Sequence, residues 1–389
     1  MAIEHSWNGK NQKEYVPALT YTVQKYCFQI SAAHITRPRV PMILHSVFFD
    51  SDAEYRYTGN AETMIKARAV MCRSPYISGI FANRIFISSS CGINVRESKV
   101  YRKWNVKYNE DGGMYMFRTQ DGWVKLGDTR MEYICFGSGK KIMVLLPGLS
   151  DGLATVGGKA LLLSQTYRKY MKDFKVYMFS RKNDMPDGYT IQQMAEDQAE
   201  AMKILGIHDA CVNGVSEGGM IAQYLAAEHP ELVARLILTV TDPCVNDMIR
   251  ERIRTWTEYA KKGDHKQLMI DTAENSYSDA YLKTYRKAYP VIGMVGKPKD
   301  YRRFLINAEA ILNFDARGIL AEISCPVLII GGEQDHIVGV QASYDIHALI
   351  PGSELHIYPD SGHAAYEEEK DYNDRIFTWA IRYAVQPES

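Results

Sequence analysis

The sequence predicts an α/β fold with a doubly wound, mostly parallel sheet and a helical insertion late in the chain. A continuous apolar run at 142–146 is typical of a strand buried on both faces of a parallel sheet. After this run, strand and helix patterns alternate to the C-terminus, which is the order of elements in doubly wound proteins. Between 243 and 317 the alternation gives way to a stretch rich in helix formers. These three observations define the fold class.

The individual elements follow from their patterns. Short alternating segments predict a small antiparallel lead-in of strands at 117–119, 122–125 and 131–136, with a turn at Asp121-Gly122. After 142–146, further strands are predicted at 175–179, 210–213, 235–240, 327–330 and 354–358. The helices between and after them are predicted at 158–173, 190–205, 216–228, 341–349 and 370–383.

The sequence of the insertion predicts four helices, at 246–262, 266–275, 277–288 and 299–313. It is rich in aromatic residues, and Trp256, Tyr259 and Tyr281 are candidates for contact with a substrate. Aromatic residues at helical spacing also suit packing between helices. Both interpretations remain open from the sequence.

Residues 1–113 differ from the rest of the chain, residues 114–389, in character. They contain strand-like patches at 21–30, 40–49, 76–88 and 99–108, but no helix with clear caps and no catalytic constellation. One interpretation is a small β-rich accessory domain. Another is an upstream extension before a true start near Met114 or Met116, because codons for Gly112-Gly113 can form a ribosome-binding sequence. N-terminal sequencing of the protein from its natural host distinguishes the two.

Composition excludes several classes of function. The chain has 389 residues, 46% of them hydrophobic, and a formal net charge of zero, so it lacks the basic footprint of a nucleic-acid or anionic-membrane binder. Its seven cysteines are scattered without a Cys-x-x-Cys pair, which predicts neither a disulfide framework nor a zinc site. With no apolar signal core and no run of membrane-spanning length, we expect a cytoplasmic protein. No metal or organic cofactor is implied, and the sequence carries no indication of oligomeric state.

The sequence Gly214-Val215-Ser216-Glu217-Gly218 lies between a predicted strand and a predicted helix. A serine at so tight a turn adopts a strained backbone conformation, and only glycines let the strand and the helix pass this closely. The motif alone is weak evidence, but the strand before it and the helix after it are the context that it requires. Ser216 is therefore the candidate nucleophile.

Two other loops that follow strands carry candidate partners for the serine. In doubly wound sheets, functional groups gather beyond the carboxyl ends of the strands. Asp335 follows the strand at 327–330, and His363 follows the strand at 354–358. A neutral imidazole can take the serine proton, and a carboxylate can orient the ring. Glu333 and Asp242 remain alternatives for the acid, and His336 is interpreted as a loop residue.

With its partners in the order Ser216, Asp335, His363, the chain resembles the α/β-hydrolases from about residue 116 to the C-terminus. The resemblance implies that the insertion at 243–317 is a lid over the active site. It also implies an oxyanion hole formed by the backbone N–H groups of Leu149 and Glu217. Pro147-Gly148 stands where many relatives have His-Gly, so Ser150 is the alternative to Leu149. The Glu217 side chain is interpreted as a solvated acid at a helix start.

The resemblance implies a serine hydrolase that cleaves a small or medium acyl substrate, such as an ester, lactone or thioester, through an acyl-enzyme. A serine nucleophile argues against haloalkane dehalogenase and epoxide hydrolase chemistry, which use an aspartate in this fold. The His-Gly-Gly-Pro stretch of proline iminopeptidases is missing, which argues against a peptidase. Carbon-carbon hydrolase, perhydrolase and acyltransferase remain open alternatives on the same three residues. A ligand-binding member of the fold without turnover is the alternative from another class.

Overall fold

The computed structural model describes residues 104–108, 114–294 and 296–382. Both interpretations of the segment 1–113 concern residues that lie largely outside this part of the chain, as do the strand patches predicted at 21–30, 40–49 and 76–88. The described residues form one nine-stranded sheet flanked by helices. The α/β class predicted from the sequence is confirmed.

The strands occur in the sheet in the order β1-β2-β3-β5-β4-β6-β7-β8-β9. From β4 onward, neighbouring strands in this part of the sheet run parallel, whereas β1, β2 and β3 join by antiparallel pairing. The strand bounds are β1 Trp104–Tyr108, β2 Met114–Leu126, β3 Thr129–Phe136, β4 Lys141–Leu146, β5 Phe174–Lys182, β6 Ala210–Val215, β7 Val233–Thr239, β8 Val327–Gly332 and β9 Glu354–Tyr358. The antiparallel lead-in is confirmed.

The turn predicted at Asp121-Gly122 is wrong, because both residues lie inside the continuous strand β2. Gly122 pairs with Tyr133 across the sheet. A Cβ atom at Gly122 would lie 2.5 Å from Cζ of the Tyr133 ring. The glycine therefore makes room for an aromatic ring on the neighbouring strand, which is a role that its sequence context does not reveal.

Helices occupy the predicted places, most of them with shorter bounds, and two short helices, at Tyr289–Ile292 and Ala365–Glu368, are additional. The helices are α1 Ala160–Thr166, α2 Ile191–Ile204, α3 Glu217–Glu228, α4 Asp247–Lys262, α5 His265–Ser276, α6 Asp279–Tyr285, α7 Tyr289–Ile292, α8 Arg302–Leu312, α9 Val340–Leu349, α10 Ala365–Glu368 and α11 Tyr372–Arg382. None of them in the described part of the chain is long and apolar enough to span a membrane.

The helix predicted at 158–173 ends early, at Thr166. The backbone that follows turns back to the sheet, where the N–H of Ser138 donates to the carbonyl of Met171 at 2.9 Å. The N–H of Lys141 likewise donates to the carbonyl of Asp173 at 3.3 Å. The last carbonyls of this segment thus bond to the chain that leads into β4, while the carbonyls of Tyr167 and Tyr170 accept from local turns, so no helix continues.

The sheet separates two apolar cores. Val144 and Val212 face one core, together with buried residues of α2, α3 and α8. Met143 and Cys211 point to the opposite core, which also contains Trp379 of α11. Adjacent residues of β4 and of β6 are thus buried on opposite faces, as the continuous apolar runs predict. The insertion, α4 to α8, lies between β7 and β8 in the chain.

Candidate active site

Ser216 lies at the turn between β6 and α3 with φ 55° and ψ −120°. This left-handed φ is uncommon for a residue with a side chain and is stabilised only by its surroundings. The flanking glycines permit it: a Cβ atom at Gly214 would lie 2.4 Å from the carbonyl oxygen of Gly218, and one at Gly218 would lie 2.1 Å from that of Leu146. The strained turn presents the Ser216 hydroxyl beyond the carboxyl end of β6.

The structure brings the three residues of the predicted triad together. Ser216 Oγ lies 3.0 Å from His363 Nε2, and His363 Nδ1 lies 2.8 Å from Asp335 Oδ2. Both distances are within hydrogen-bonding range. His363 and Asp335 are buried, whereas Ser216 is partly exposed. This arrangement can transfer a proton from the serine to the imidazole while the carboxylate holds the ring.

Backbone hydrogen bonds hold the Asp335 carboxylate in place beside His363. Its Oδ1 accepts the backbone N–H groups of Ile337 at 2.8 Å and Val338 at 2.9 Å, which leaves Oδ2 for the imidazole. The competing acid Glu333 and the neighbouring His336 are exposed. Of the candidates in this loop, only Asp335 contacts His363 within the described residues.

Asp242, the other alternative acid, binds groups other than the histidine. Its carboxylate accepts the N–H of Cys244 at 3.1 Å and the side-chain amide of Asn246 at 2.7 Å. Burial, together with the nearby carboxylates of Asp345 and Asp335, raises the pKa of Asp242 to about 7. Its partners are thus loop and helix-cap groups at the start of the insertion, and not the histidine.

The residues proposed for the oxyanion hole lie beside the nucleophile. Leu149 begins a short 3₁₀ turn, Leu149–Gly152, and a Cβ atom at the preceding Gly148 would lie 3.3 Å from Ser216 Cβ. Glu217 is the first residue of α3. Neither the N–H of Leu149 nor that of Glu217 donates to a backbone carbonyl in the described part of the chain. Ser150, the alternative to Leu149, is the next residue of the same turn and is exposed.

The interpretation of the Glu217 side chain as a solvated acid is wrong. It is 0% exposed, and its Oε2 accepts a hydrogen bond from Arg181 Nη2 at 2.8 Å. Burial raises the pKa of Glu217, and the charge of Arg181 opposes this shift in part. A charged residue at a helix start is usually exposed, so the sequence held no local signal for this pair.

The three aromatic candidates of the insertion lie among its own helices. Trp256 is buried and its indole N–H donates to Asp271 at 2.8 Å, which joins α4 to α5. Tyr259 packs against the core at the end of α4. Tyr281 stacks on Tyr277 with their ring centroids 4.7 Å apart. These contacts describe packing within the insertion.

Sequence reasoning missed the residues that hold the His363 loop. The backbone N–H of Ala364 donates to the carbonyl of Ser276 at 2.8 Å, at the junction between α5 and α6. Glu368 accepts the N–H of Gly362 at 3.2 Å and that of Ser278 at 3.1 Å, while Glu367 accepts the Tyr277 hydroxyl at 2.6 Å. A run of three glutamates suggests a solvated surface, and nothing local marks two of them as contacts of the insertion.

Metal ligation has no support in the described residues, which contain no group of three or more His, Cys, Asp or Glu placed to hold a metal ion. The four cysteines in this part of the chain are free thiols: Cys135, Cys211, Cys244 and Cys325. Burial raises the pKa of Cys211 to about 12, so this thiol is inert at neutral pH.

Comparison with known proteins agrees with the fold. The family model of the alpha/beta hydrolase fold matches residues 141–259 and 254–370. These matches span more than half of the chain and include the strands that carry Ser216, Asp335 and His363. The protein belongs to the α/β-hydrolase fold family.

Individual relatives carry names that agree with this family. A putative carbamate hydrolase, RutD, of Serratia proteamaculans is 24% identical over 208 residues, which span 52% of this chain and 76% of the relative. The human serine hydrolase BPHL is 27% identical over 251 residues, 62% of this chain and 79% of the relative. Among solved structures, the enol-lactonase of Burkholderia xenovorans LB400 has a TM-score of 0.57 at 20% identity, covering 67% of this chain and 100% of that one. The chain is therefore a hydrolase of this fold.

Proposed function

We propose that this protein is a serine hydrolase that cleaves a small or medium acyl substrate, an ester, lactone or thioester, through a covalent acyl-enzyme. The observation that carries the proposal is the hydrogen-bonded series Ser216 Oγ, His363 Nε2, His363 Nδ1 and Asp335 Oδ2 at a strained strand-to-helix turn. A serine hydroxyl is a weak nucleophile unless an adjacent base takes its proton. This site supplies that base and the group that orients it.

The chemistry proceeds in two halves. Ser216 Oγ attacks the substrate carbonyl carbon while its proton passes to His363 Nε2, and the imidazolium then protonates the leaving alkoxide or thiolate. In the second half, a water molecule attacks the acyl carbon, and His363 takes one of its protons and returns it to Ser216 Oγ as the acid departs. Asp335 orients the imidazole and stabilises the imidazolium in both halves.

We assign the stabilisation of the negative charge that develops on the carbonyl oxygen to the backbone N–H groups of Leu149 and Glu217. Preorganised donors of this kind are each worth roughly 3 kcal/mol in the transition state. Leu149 and Glu217 are the first residues of a 3₁₀ turn and of α3, and N–H groups at helix starts lack helical partners, which supports this assignment.

The insertion, residues 243–317, is assigned the role of a lid. Its α5–α6 junction binds the loop that carries His363, and α8 packs on the turn that carries Leu149. Trp256, Tyr259 and Tyr281 remain candidates for the acyl pocket. Tyr281 is the strongest of the three, because its hydroxyl has no hydrogen-bond partner among the described residues.

The relatives extend the range of substrates to be tried. Because several are named putative carbamate hydrolases, a carbamate belongs in the panel beside esters, thioesters and lactones. We assign the protein to the cytoplasm, where reduced thiols persist, in agreement with the free cysteines in the described part of the chain.

The test is turnover of this panel by the wild-type protein, by Ser216→Ala and by Ser138→Ala, an exposed serine in a loop before β4. We expect Ser216→Ala to lose at least about a thousandfold in kcat/KM and Ser138→Ala to match the wild type. Intact-protein mass spectrometry during turnover should show one acyl adduct on the wild type. Retained turnover in Ser216→Ala would refute the proposal.

A further inference from the structure

Four buried charged side chains form a cluster beside the candidate active site. Asp151, Arg181 and Glu217 have side chains that are at most 1% exposed, and that of Arg303 is 14% exposed. Three of them belong to the sheet domain, and Arg303 alone comes from the insertion, in the first turn of α8. We refer to these four residues as the buried charge cluster.

The Arg303 guanidinium contacts both the turn Leu149–Gly152 and the end of β5. Its Nη2 donates to Asp151 Oδ2 at 2.5 Å and to the carbonyl of Arg181 at 2.8 Å. Its Nη1 donates to the carbonyl of Asp151, and its Nε donates to that of Lys182 at 3.3 Å. One guanidinium group therefore joins the end of β5 to the turn Leu149–Gly152. Only a planar group with several donors can satisfy these acceptors together.

The other members connect this contact to the nucleophile turn. Asp151 Oδ2 also accepts the backbone N–H of Arg181 at 2.9 Å. The Arg181 side chain then donates to Glu217 at 2.8 Å. Asp151 lies two residues after Leu149, and Glu217 itself follows Ser216. Both proposed oxyanion donors are thus on segments that the buried charge cluster holds in place.

The cluster balances its own charge. Two guanidinium groups face two carboxylates, and the next charged groups outward, Lys159 and Glu132, are of opposite sign. Burial raises the pKa of Asp151, but Arg303 and Arg181 outweigh burial and the net shift is downward. Asp151 is therefore an anion that Arg303 and Arg181 compensate together, with Arg303 the closer of the two.

Close packing between α8 and the turn supports the same contact independently. A Cβ atom at Gly152 would lie 2.8 Å from Cα of Phe304, the residue after Arg303. Glycine is therefore required at the end of the turn for α8 to approach it. The helix is seated on the turn by shape as well as by charge.

From these contacts we propose that Arg303 is a positioning residue of the insertion. It fixes the turn Leu149–Gly152, which carries a proposed oxyanion donor, and its positive charge compensates the carboxylate of Asp151. This inference rests on the proposed function, since it assigns Arg303 to the oxyanion hole of that mechanism. Without Arg303, the turn loses the guanidinium that joins it to β5 and keeps the bond from the N–H of Arg181 to Asp151. Two carboxylates, those of Asp151 and Glu217, then face the single guanidinium of Arg181, which leaves one excess negative charge beside the nucleophile turn. Both effects act on the transition state more than on the bound substrate.

The experiment compares Arg303→Met with Arg302→Met on the full chain, using an ester hydrolysed by the wild type. Arg302 is the neighbour on α8 and makes an exposed ion pair with Asp187 at 2.6 Å, so it is a matched control. We expect Arg303→Met to lower kcat about 100-fold with KM within about threefold of the wild type. Arg302→Met should retain wild-type kcat and KM. The rate of phosphonylation by a fluorophosphonate should fall with kcat, because the phosphonyl oxygen occupies the same hole.

Two further variants separate positioning from folding. Asp151→Asn combined with Arg303→Met removes the excess negative charge and should recover roughly tenfold of the lost kcat. Arg303→Lys keeps the charge without the planar fork, and we expect it to fold and to lose about tenfold in kcat. If Arg303→Met does not fold, Arg303→Lys carries the same comparison with Arg302→Lys.

The outcomes are distinct. Equal kcat in the Arg303 and Arg302 variants, or a loss confined to KM or to the folded fraction, would overturn the role of Arg303 while leaving the serine hydrolase intact. No labelling and no turnover by the wild-type protein would instead overturn the proposed function itself. A loss in kcat and in phosphonylation rate, restored in part by Asp151→Asn, supports the inference.

Discussion

The insertion contacts the sheet domain at two places beside the triad, and the two are built differently. On the nucleophile side, Arg303 of α8 enters the buried charge cluster, whose two cations and two anions compensate each other. On the histidine side, the α5–α6 junction binds the loop after β9 through hydroxyl and backbone groups that donate to Glu367 and Glu368. No cation contacts Glu367 in the described part of the chain.

The two contacts should therefore respond differently to the loss of a charge and to a change of pH. Burial raises the pKa of Glu367 to about 7, and the neighbouring Glu368 adds to the shift. On the nucleophile side, the guanidinium groups keep Asp151 ionised. Changes of pH near neutrality should therefore act on Glu367, which no cation compensates among the described residues, more than on Asp151. Loss of a single charge should act most strongly on the nucleophile side.

The largest effect on stability is expected for Arg181→Met. This variant leaves the buried Glu217 without its ion-pair partner and removes one of the two guanidinium groups beside Asp151. Removing one partner of a buried pair typically costs about 3–5 kcal/mol of the free energy of unfolding. Urea denaturation at pH 7 measures it. The control is Arg317→Met, whose ion pair with Asp315 is exposed and should contribute little to stability. Equal losses in the two variants would remove the distinction between the buried charge cluster and a surface pair.

A pH-dependent effect is expected for Glu367→Gln. The Glu367 pKa rises from an ordinary 4.5 to about 7 on folding, so the native state binds the proton more tightly than the unfolded chain. Its ionisation therefore costs stability as pH rises from 4.5 to 7, by about 3 kcal/mol in full. Glutamine cannot ionise but still accepts from Tyr277. We expect the variant to match the wild type near pH 4.5 and to be more stable by up to this amount at pH 8.

Unfolding free energies at pH 4.5, 6 and 8 test this expectation. The same series on Arg303→Lys, a variant of the nucleophile side, should run parallel to the wild type. A stability difference between Glu367→Gln and the wild type that does not change with pH would contradict the account of the histidine side.

The smallest effect is expected away from both contacts, for Trp256→Phe. The substitution removes the hydrogen bond from the indole to Asp271 and some packing between α4 and α5. We expect a loss of about 1–2 kcal/mol in the free energy of unfolding and no change in KM or kcat. A rise in KM for larger acyl groups would instead return Trp256 to the acyl pocket.

The sequence is sufficient to predict those elements and site residues that local patterns determine. Apolar runs identified the parallel strands, and Ser216, Asp335 and His363 could be proposed because each directly follows a strand. The errors concern residues whose partners are distant in the chain. The local sequence around Gly122 indicates a turn, because the Tyr133 ring that requires the glycine lies on another strand. Glu217 looks solvated from the sequence, because its partner Arg181 is distant in the chain.

Arg303 illustrates the same limit most clearly, since it lies 152 residues from Asp151. On its own helix it stands beside the exposed Arg302, and the two arginines have the same local context. Only the packing of α8 on the turn after β4 determines that one is exposed and the other enters the buried charge cluster. Long-range pairing of charges leaves no periodic signal in a single sequence.

The central claim is that Ser216 is an activated nucleophile, and labelling by a fluorophosphonate probe with mass-spectrometric mapping of the site tests it most directly. We expect the full-length protein to take one label, on Ser216, and Ser216→Ala to take none. A folded wild-type protein that takes no label from a probe small enough to reach the serine would contradict the claim. Such a result would favour a ligand-binding member of the fold that performs no hydrolysis.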